Sequence, residues 1–476
     1  MPSHQLSTIN SQRNRSSALS SSYGLAILIV ISLLMCATQI SAQTVTDLYS
    51  FTGNGNSQYP YFVTPAQGRN GEIYGTTISL AYGSVFSLET TGAETSLLGF
   101  DSADGYNPFA GLTLGTDGNF YGTTAGGGSA GLGILFKITP EGALTTLHDF
   151  LGESDGSLPR AAPLAASDGN YYGTTESGSN YMGATVYKYA PSSNTFTTIY
   201  GFSEATDYEI VAPLIEGTNG NLYGTGGGGT SGCGAIFEMT KSGVLVMQYN
   251  FSCTGATEPS APLVHASDGN FYGTTYAGSG SIGGSVFRMT PQGRVTSLHT
   301  FTTSGTAGWG PEGGLVQGTD GNLYGSTRQG GNKGDIGTLF QITTSGVYTE
   351  LYSFPKSVGE YPSGSLLQHT NGLFYGTAYE GGAHGYGAVY SLDMGLGPFV
   401  TFVRPGGTVG GTVQILGQGF TGATAVTFNG VEATTFTVIS DTFMTAVVPA
   451  GATTGSVVVT TPTGTLTSNV NFRVTE

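Results

Sequence analysis

The feature that most restricts what this chain can fold into is a recurring octapeptide, Asp117-Gly118-Asn119-Phe120-Tyr121-Gly122-Thr123-Thr124. Its Tyr-Gly pair returns at Tyr74, Tyr121, Tyr172, Tyr223, Tyr272, Tyr324 and Tyr375, at intervals of 47, 51, 51, 49, 52 and 51 residues. Seven copies at this period define a repeat architecture in which each unit buries a face against its neighbours. In the copy around Tyr121, four short apolar runs read as strands: 109–114, 119–124, 134–139 and 144–150. Between the first two, every copy carries Asp-Gly or Asn-Gly, from Asn70-Gly71 to Asn371-Gly372. These dipeptides tolerate the positive φ of a tight hairpin. A second turn, Thr139-Pro140-Glu141-Gly142 in this copy, joins the third run to the fourth, so the unit is a four-stranded meander.

Four short strands cannot cover both of their own faces, whereas seven such sheets set radially bury one another and leave only short edges. The spacing therefore predicts an all-β chain: a seven-bladed β-propeller over residues 43–394, then a small immunoglobulin-like β-sandwich over 395–476. Leu48-Tyr49-Ser50-Phe51 matches the fourth strands ending at Phe150 and Phe354, while the last repeat stops at a third strand, Gly387 to Leu392. Residues 44–51 are thus expected beside 387–393, closing the ring.

Residues 1–42 read as a secretory signal peptide: an acid-free leader with Arg13 and Arg15, an apolar run from Gly24 to Ala37, and Ala42 at a cleavage position. The apolar run is short for a membrane span, so no span is expected after cleavage. Removing the leader takes the formal charge from -16 to -18. Such an acidic chain is not expected to bind nucleic acid, which needs clustered Lys and Arg. Two cysteines remain, Cys233 at the start of a third strand and Cys253 after the fourth. Those ends are neighbours in an antiparallel pair, and in an exported protein a disulfide between them is expected.

The strings from Asp117 to Thr124, then a Gly-rich stretch, then Gly-x-Val/Leu-Phe-x-Ile/Met-Thr-Pro-x-Gly resemble the GloVer tandem repeat of secreted bacterial proteins. That resemblance covers most of the chain and implies an exported or cell-surface protein of unestablished activity. The tail resembles an IPT/TIG domain, on Gly410 to Phe420, Ala425 to Gly430, Val448-Pro449-Ala450-Gly451 and Gly455 to Pro462. Such domains serve as spacers and adhesion modules outside the cell, and a spacer role is expected here.

No chemistry stands out. His148, His265, His299, His369 and His384 fall in different or non-matching repeat slots, so no metal cluster is expected. His148 and His299 share a fourth-strand position and are expected between blades. The turn aspartates lack the closely spaced oxygens of a calcium loop, and Asn replaces them in three copies. Gly126 to Gly128 and Gly226 to Gly229 lack the Lys-Ser/Thr of a phosphate loop. No cofactor is expected.

What varies between copies is the loop set on one face, joining second to third and fourth to first strands. Rigid scaffolds carry function on such loops. The aromatic candidates for ligand contact are Tyr106, Tyr208, Trp309 and Tyr361 in fourth-to-first loops, with Tyr181 and Tyr276 in second-to-third loops. The signature tyrosines, in contrast, are expected to pack between blades. The pattern fits a non-enzymatic exported protein whose loop face engages an extracellular glycan or protein. The alternatives are a carbohydrate-active hydrolase or lyase using carboxylates on that face, and a structural cell-surface component. A hydrolase would bring buried charged residues together at the channel, whereas a binder would spread aromatic and neutral polar groups over the rim.

Overall fold

The computed structural model describes residues 43–475 except 55–56, 80, 153–154, 179–181, 204–208 and 305–306. The expected leader, 1–42, and the candidates Tyr181 and Tyr208 lie outside the described residues. Every named element is a strand. Among the described residues no helix is long and apolar enough to cross a membrane.

Each signature tyrosine sits in the second strand of an antiparallel sheet, and we number these sheets 1 to 7 in chain order. Sheet 2 is typical: Thr113–Leu114, Phe120–Thr124, Ile134–Ile138 and Leu144–Asp149 pair in sequence order. Sheet 7 is assembled from both ends of the array. Its Ala388–Asp393 strand pairs with Thr44–Ser50, in register from Thr44 opposite Asp393 to Ser50 opposite Ala388. The expected pairing of 44–51 with 387–393 is therefore present. The segments that lead into the first strands of all seven sheets line one central cavity, which gives a propeller-like arrangement.

The octapeptide has a separate physical role at each position. Asp117 accepts from the Asn119 backbone N–H at 3.2 Å and holds the turn, with Gly118 at φ +88°. The Tyr121 hydroxyl donates to Asp117 Oδ2 at 3.1 Å. Where the turn carries asparagine the direction reverses, and the Nδ2 of Asn70, Asn219 and Asn371 donates to the hydroxyl of Tyr74, Tyr223 and Tyr375 at 2.8–3.0 Å. A phenol can donate or accept, which is why Asp and Asn interchange here. The rings join neighbouring sheets: Tyr74 stacks on Phe120 at 4.1 Å and Tyr121 on Tyr171 at 4.0 Å. Thr123 donates to Ala161 O of the next sheet at 3.0 Å, and Thr124 Oγ1 accepts from Ile134 N–H at 3.3 Å.

Gly122 is not a turn residue. It pairs directly with Phe136 across the strands, and the Phe136 ring lies over it. A Cβ at Gly122 would meet that ring at 2.6 Å and Leu112 at 2.8 Å. The same Gly-aromatic pairing recurs at Gly75 with Phe86, Gly273 with Phe287 and Gly325 with Phe340. Glycine is therefore required by close approach, as a seat for the ring that fills the space between sheets.

His148 stacks on Phe196 at 3.6 Å and His299 on Tyr348 at 4.1 Å, each across a sheet boundary as expected from their slot. Cys233 and Cys253 form a disulfide with Cα atoms 5.4 Å apart, and the pair spans 20 residues. Closing a loop of that length removes denatured-state entropy worth about 3 kcal/mol. Cys253→Ser is expected to lower the unfolding free energy by about that amount in denaturant titration. A change under about 0.5 kcal/mol would show that the bond adds nothing to the sheet it joins.

The C-terminal residues form two further four-stranded sheets. One is Thr401–Phe402, Thr412–Leu416, Phe443–Val447 and Phe436–Val438; the other is Val431–Glu432, Ala425–Phe428, Val457–Thr461 and Gly464–Thr467. Their shared core contains Val413, Ile415, Phe428, Met444, Val459 and Phe472. A spacer would stand clear of the array, but these sheets pack onto its Asp-Gly/Asn-Gly turn face. Leu416 and Phe443 join the apolar cluster around Tyr74 and Phe120. Arg69 lies 4.6 Å over the Phe443 ring and donates to Gln414 Oε1 at 2.9 Å. Arg473 pairs with Glu216 at 2.7 Å, and Ser167 and Lys241 complete that junction. The repeated turns are thus partly covered by the C-terminal sheets, on the face opposite the variable loops.

Candidate functional site at the channel mouth

The first strands run from the variable-loop face down to the turn face, and their side chains alternate between channel and sheet, as the pleat requires. In sheet 4, Val211, Pro213 and Ile215 are half-buried while Ala212 and Leu214 are buried. The residue after the loop proline (Ile210 in sheet 4) is the outermost of each series. It is Phe109, Arg160, Val211, Ser260, Glu312 and Ser363 in sheets 2 to 7; in sheet 1 the proline comes one residue earlier in the register, so the slot falls on Phe62 and Tyr61 precedes it. Below it the channel is a cavity of about 490 Å³. Val403 and Pro405 of the C-terminal segment line its turn-side end.

Two ion pairs stand at the mouth, built from the outermost position and the residue after the second strand of the same sheet. In sheet 6, Arg328 Nη1 donates to Glu312 Oε1 at 3.1 Å; in sheet 3, Arg160 meets Glu176 at 2.7 Å. The Tyr61 hydroxyl donates to Glu312 at 3.4 Å across the small Ser363 of sheet 7. Glu312 is only 6% exposed, and its Oε2 has no hydrogen-bond partner among the described residues. Burial outweighs the pull of Arg328 and pushes the Glu312 carboxyl up to about 7. Burial and then the adjacent Glu312 push the Tyr61 phenol to about 12. Glu176 is also raised by burial, against Arg160. Burial opposes the Arg328 charge, but Glu312 and the phenols of Tyr61 and Tyr276 hold it above its ordinary value.

Aromatic rings form a continuous strip from the rim to this centre. Tyr386 to Tyr59 is 5.9 Å between centroids, Tyr59 to Tyr379 is 5.4 Å, Tyr379 to Tyr61 is 4.7 Å, and Tyr61 to Phe109 is 6.2 Å. Arg160 then lies 4.9 Å over the Phe109 ring. All five rings are half-buried, and neighbouring rings lie tilted or edge-on to one another, at 43–73°. Tyr59 and Tyr361 adopt φ near +60°, a conformation costly for an aromatic residue and met where surrounding structure enforces it.

Of the aromatic candidates expected from sequence, two reach this cluster. Tyr361 has the Arg328 guanidinium 5.7 Å over its ring, and Tyr276 is coupled electrostatically to both Arg328 and Tyr61. Tyr106 and Trp309 do not. Their backbones bridge to Gly126 and Gln329, Tyr106 sits edge-on to Tyr82, and Trp309 packs against the apolar core beneath its loop. The sequence reading missed Tyr61, Glu312, Arg328, Arg160 and Glu176. A signal existed: aligned repeats put four charged side chains into two slots otherwise filled by apolar, aromatic or small residues, in a chain only 9% charged. Among the described residues no group of three or more His, Cys, Asp or Glu could hold a metal ion.

Comparison with curated proteins finds no match. Solved structures give distant likenesses. A copper-bound fungal alcohol oxidase of the AA5 family shares 14% identity at TM-score 0.48, covering 88% of this chain and 98% of its own. A manganese-bound oligogalacturonate lyase shares 13% at TM-score 0.48, covering 74% and 94%. TolB from Acinetobacter baumannii shares 14% at TM-score 0.37, covering 60% and 64%. At these values the likenesses carry nothing about chemistry. The Gloeobacter/Verrucomicrobia repeat, in contrast, matches residues 36–227 and 212–439, most of the length, and the chain belongs to that family.

Proposed function

We propose that this protein is an exported, non-enzymatic binding protein: a seven-bladed β-propeller carrying an immunoglobulin-like IPT/TIG module, whose loop face holds an extracellular glycan. The observation that carries the reading is the strip from Tyr386 through Tyr59, Tyr379 and Tyr61 to Phe109, which ends beside two ion pairs. Aromatic faces take the apolar faces of sugar rings, and every ring of the strip keeps part of its surface exposed. Carboxylate and guanidinium groups at the end of the strip can then accept from and donate to hydroxyls. The disulfide fits an oxidising, extracytoplasmic setting.

A second reading, a hydrolase or lyase, has in its favour that charged residues, Glu312 with Arg328 and Arg160 with Glu176, do meet at the channel mouth. Glu312, with its carboxyl near 7, is a proton donor at neutral pH, as a hydrolase or lyase would use. Glycosidic cleavage by the two-carboxylate route needs a partner carboxylate across the scissile bond. Glu176 is the other carboxyl at the mouth, but it is paired with Arg160, and the direct contacts of Glu312 are Arg328 and Tyr61, an arrangement that suits holding a ligand.

The test is a glycan array probed with the full chain and with Tyr379→Ala. Saturable retention of one glycan class, weakened roughly tenfold in the variant, is expected. Retention indifferent to Tyr379→Ala would move recognition off the strip, and silence across the array would remove the glycan reading.

A further inference from the structure

The channel behind the mouth is built in layers. Below the charged outermost position comes a layer of small or compact residues, among them Gly111, Ala162 and Gly314, which leave the bore open. Deeper still the wall is apolar, with Leu164, Val264 and Val316, and Val403 and Pro405 stand at the end. A cavity of about 490 Å³ with an apolar wall and a few polar groups at one end has the size and character of a small-ligand pocket. Nothing in glycan recognition by the strip alone uses this space.

The polar end has an unmet requirement. Glu312 lines the cavity, is 6% exposed, and leaves Oε2 buried without a partner among the described residues. An orphaned buried oxygen costs free energy that a ligand's hydrogen-bonding group recovers. Arg328, paired to the other oxygen of the same carboxyl, stands beside it as a donor. A sugar hydroxyl both donates and accepts, so it answers both groups at once. Arg328 already has the Glu312 carboxyl as its partner, so the site asks a head group for hydrogen-bonding groups and not for a further charge.

We propose that the channel receives the apolar substituent, an alkyl, acyl or aryl group, of a neutral saccharide whose hydroxyls are held by Glu312 and Arg328. The proposal rests on the glycan reading of the mouth and adds the class of glycan, one carrying a hydrophobic aglycone or acyl group. Sugar rings lie on the aromatic strip and the substituent turns down the bore toward Val403. A plain polysaccharide would engage the strip and leave the channel to water.

Isothermal titration of the full chain with methyl, butyl, hexyl and octyl β-glucosides, below their micellar concentrations, tests this. Affinity is expected to rise about three- to fourfold per added methylene, the value of burying that group. Ala162→Phe, which fills the small layer, is expected to flatten that series while leaving methyl glucoside unaffected. Val264→Phe does the same one layer deeper and replaces Ala162→Phe if that variant fails to fold. A flat series in the unaltered protein, or a slope that survives both variants, overturns the proposal. Free n-hexanol separates the two ideas. If it binds as tightly as hexyl glucoside, the channel is a ligand pocket but the glycan reading fails. If methyl glucoside binds in a Glu312-dependent way with no chain-length slope, the glycan reading stands and the channel proposal fails.

Discussion

Replacing Gly122 with alanine is expected to lower the unfolding free energy by about 3 kcal/mol, although alanine ordinarily favours a strand over glycine by about 0.5–1 kcal/mol. The reversal follows from the site. The new methyl would lie 2.6 Å from the Phe136 ring and 2.8 Å from Leu112, and Phe136 is fully buried between sheets with no space to move aside. The strain should disappear when the ring is shortened. In the background Phe136→Leu, itself destabilising, the added cost of Gly122→Ala should fall below about 1 kcal/mol. Chemical denaturation of the four proteins gives this directly. If Gly122→Ala is neutral or stabilising in the parent, the glycine serves the backbone and not the ring.

The second large effect is a pH dependence with an unusual sign for an acid. Glu312 rises from an ordinary value of 4.5 to about 7 because burial penalises its charge more than Arg328 relieves it. The folded protein therefore holds a proton that the unfolded chain has released. That contribution to stability is fully present below about pH 4.5 and is lost as pH rises through about 7. Relative to Glu312→Gln, which stays neutral, the parent should lose about 3 kcal/mol between pH 4.5 and pH 8. Denaturant titrations of both proteins over that range measure the difference. A constant difference, or one that grows with pH, would mean that the Arg328 pair keeps the carboxylate charged.

Much of the array was legible because its causes are local and repeat. Asp-Gly and Asn-Gly mark the hairpins, the strand runs carry their own pattern, and Leu48 to Phe51 matches other fourth strands closely enough to place the closing pair. The proximity of Cys233 and Cys253 and the stacking slots of His148 and His299 followed from the same register. The mouth was not legible in this way. Tyr61 and Glu312 meet although 251 residues separate them, and each looks like an ordinary loop residue within its own repeat. Only superposing the repeats shows that Glu312 shares its slot with Arg160 and that Tyr61 stands one residue before the same slot of its own sheet. Tyr106 and Trp309 looked more prominent because they are large rings in variable loops, yet their position in each loop is spent on a bridge to the neighbouring loop. The docking of the C-terminal sheets was equally hidden. It depends on Leu416, Phe443, Gln414 and Arg473, none of which belongs to a pattern that points outside its own sheet.

That docking gives the two faces different tasks. The repeated turns on one face are tied to Arg69, Thr442 and Arg473, while the opposite face carries the variable loops. Within that opposite face, aromatic residues gather on the sheet 7 to sheet 2 side and the ion pairs stand in sheets 3 and 6. A ligand lying on the strip would cross the mouth and meet both kinds of group.

The central claim is that recognition occurs at this mouth, and hydrogen exchange by mass spectrometry on the full chain tests it most directly. The ligand is the glycan best retained on the array. Slowed exchange is expected in peptides covering 58–64 and 376–386, with the C-terminal sheets unchanged. No retained glycan at all, or protection confined to the C-terminal sheets and the turn face, would contradict it.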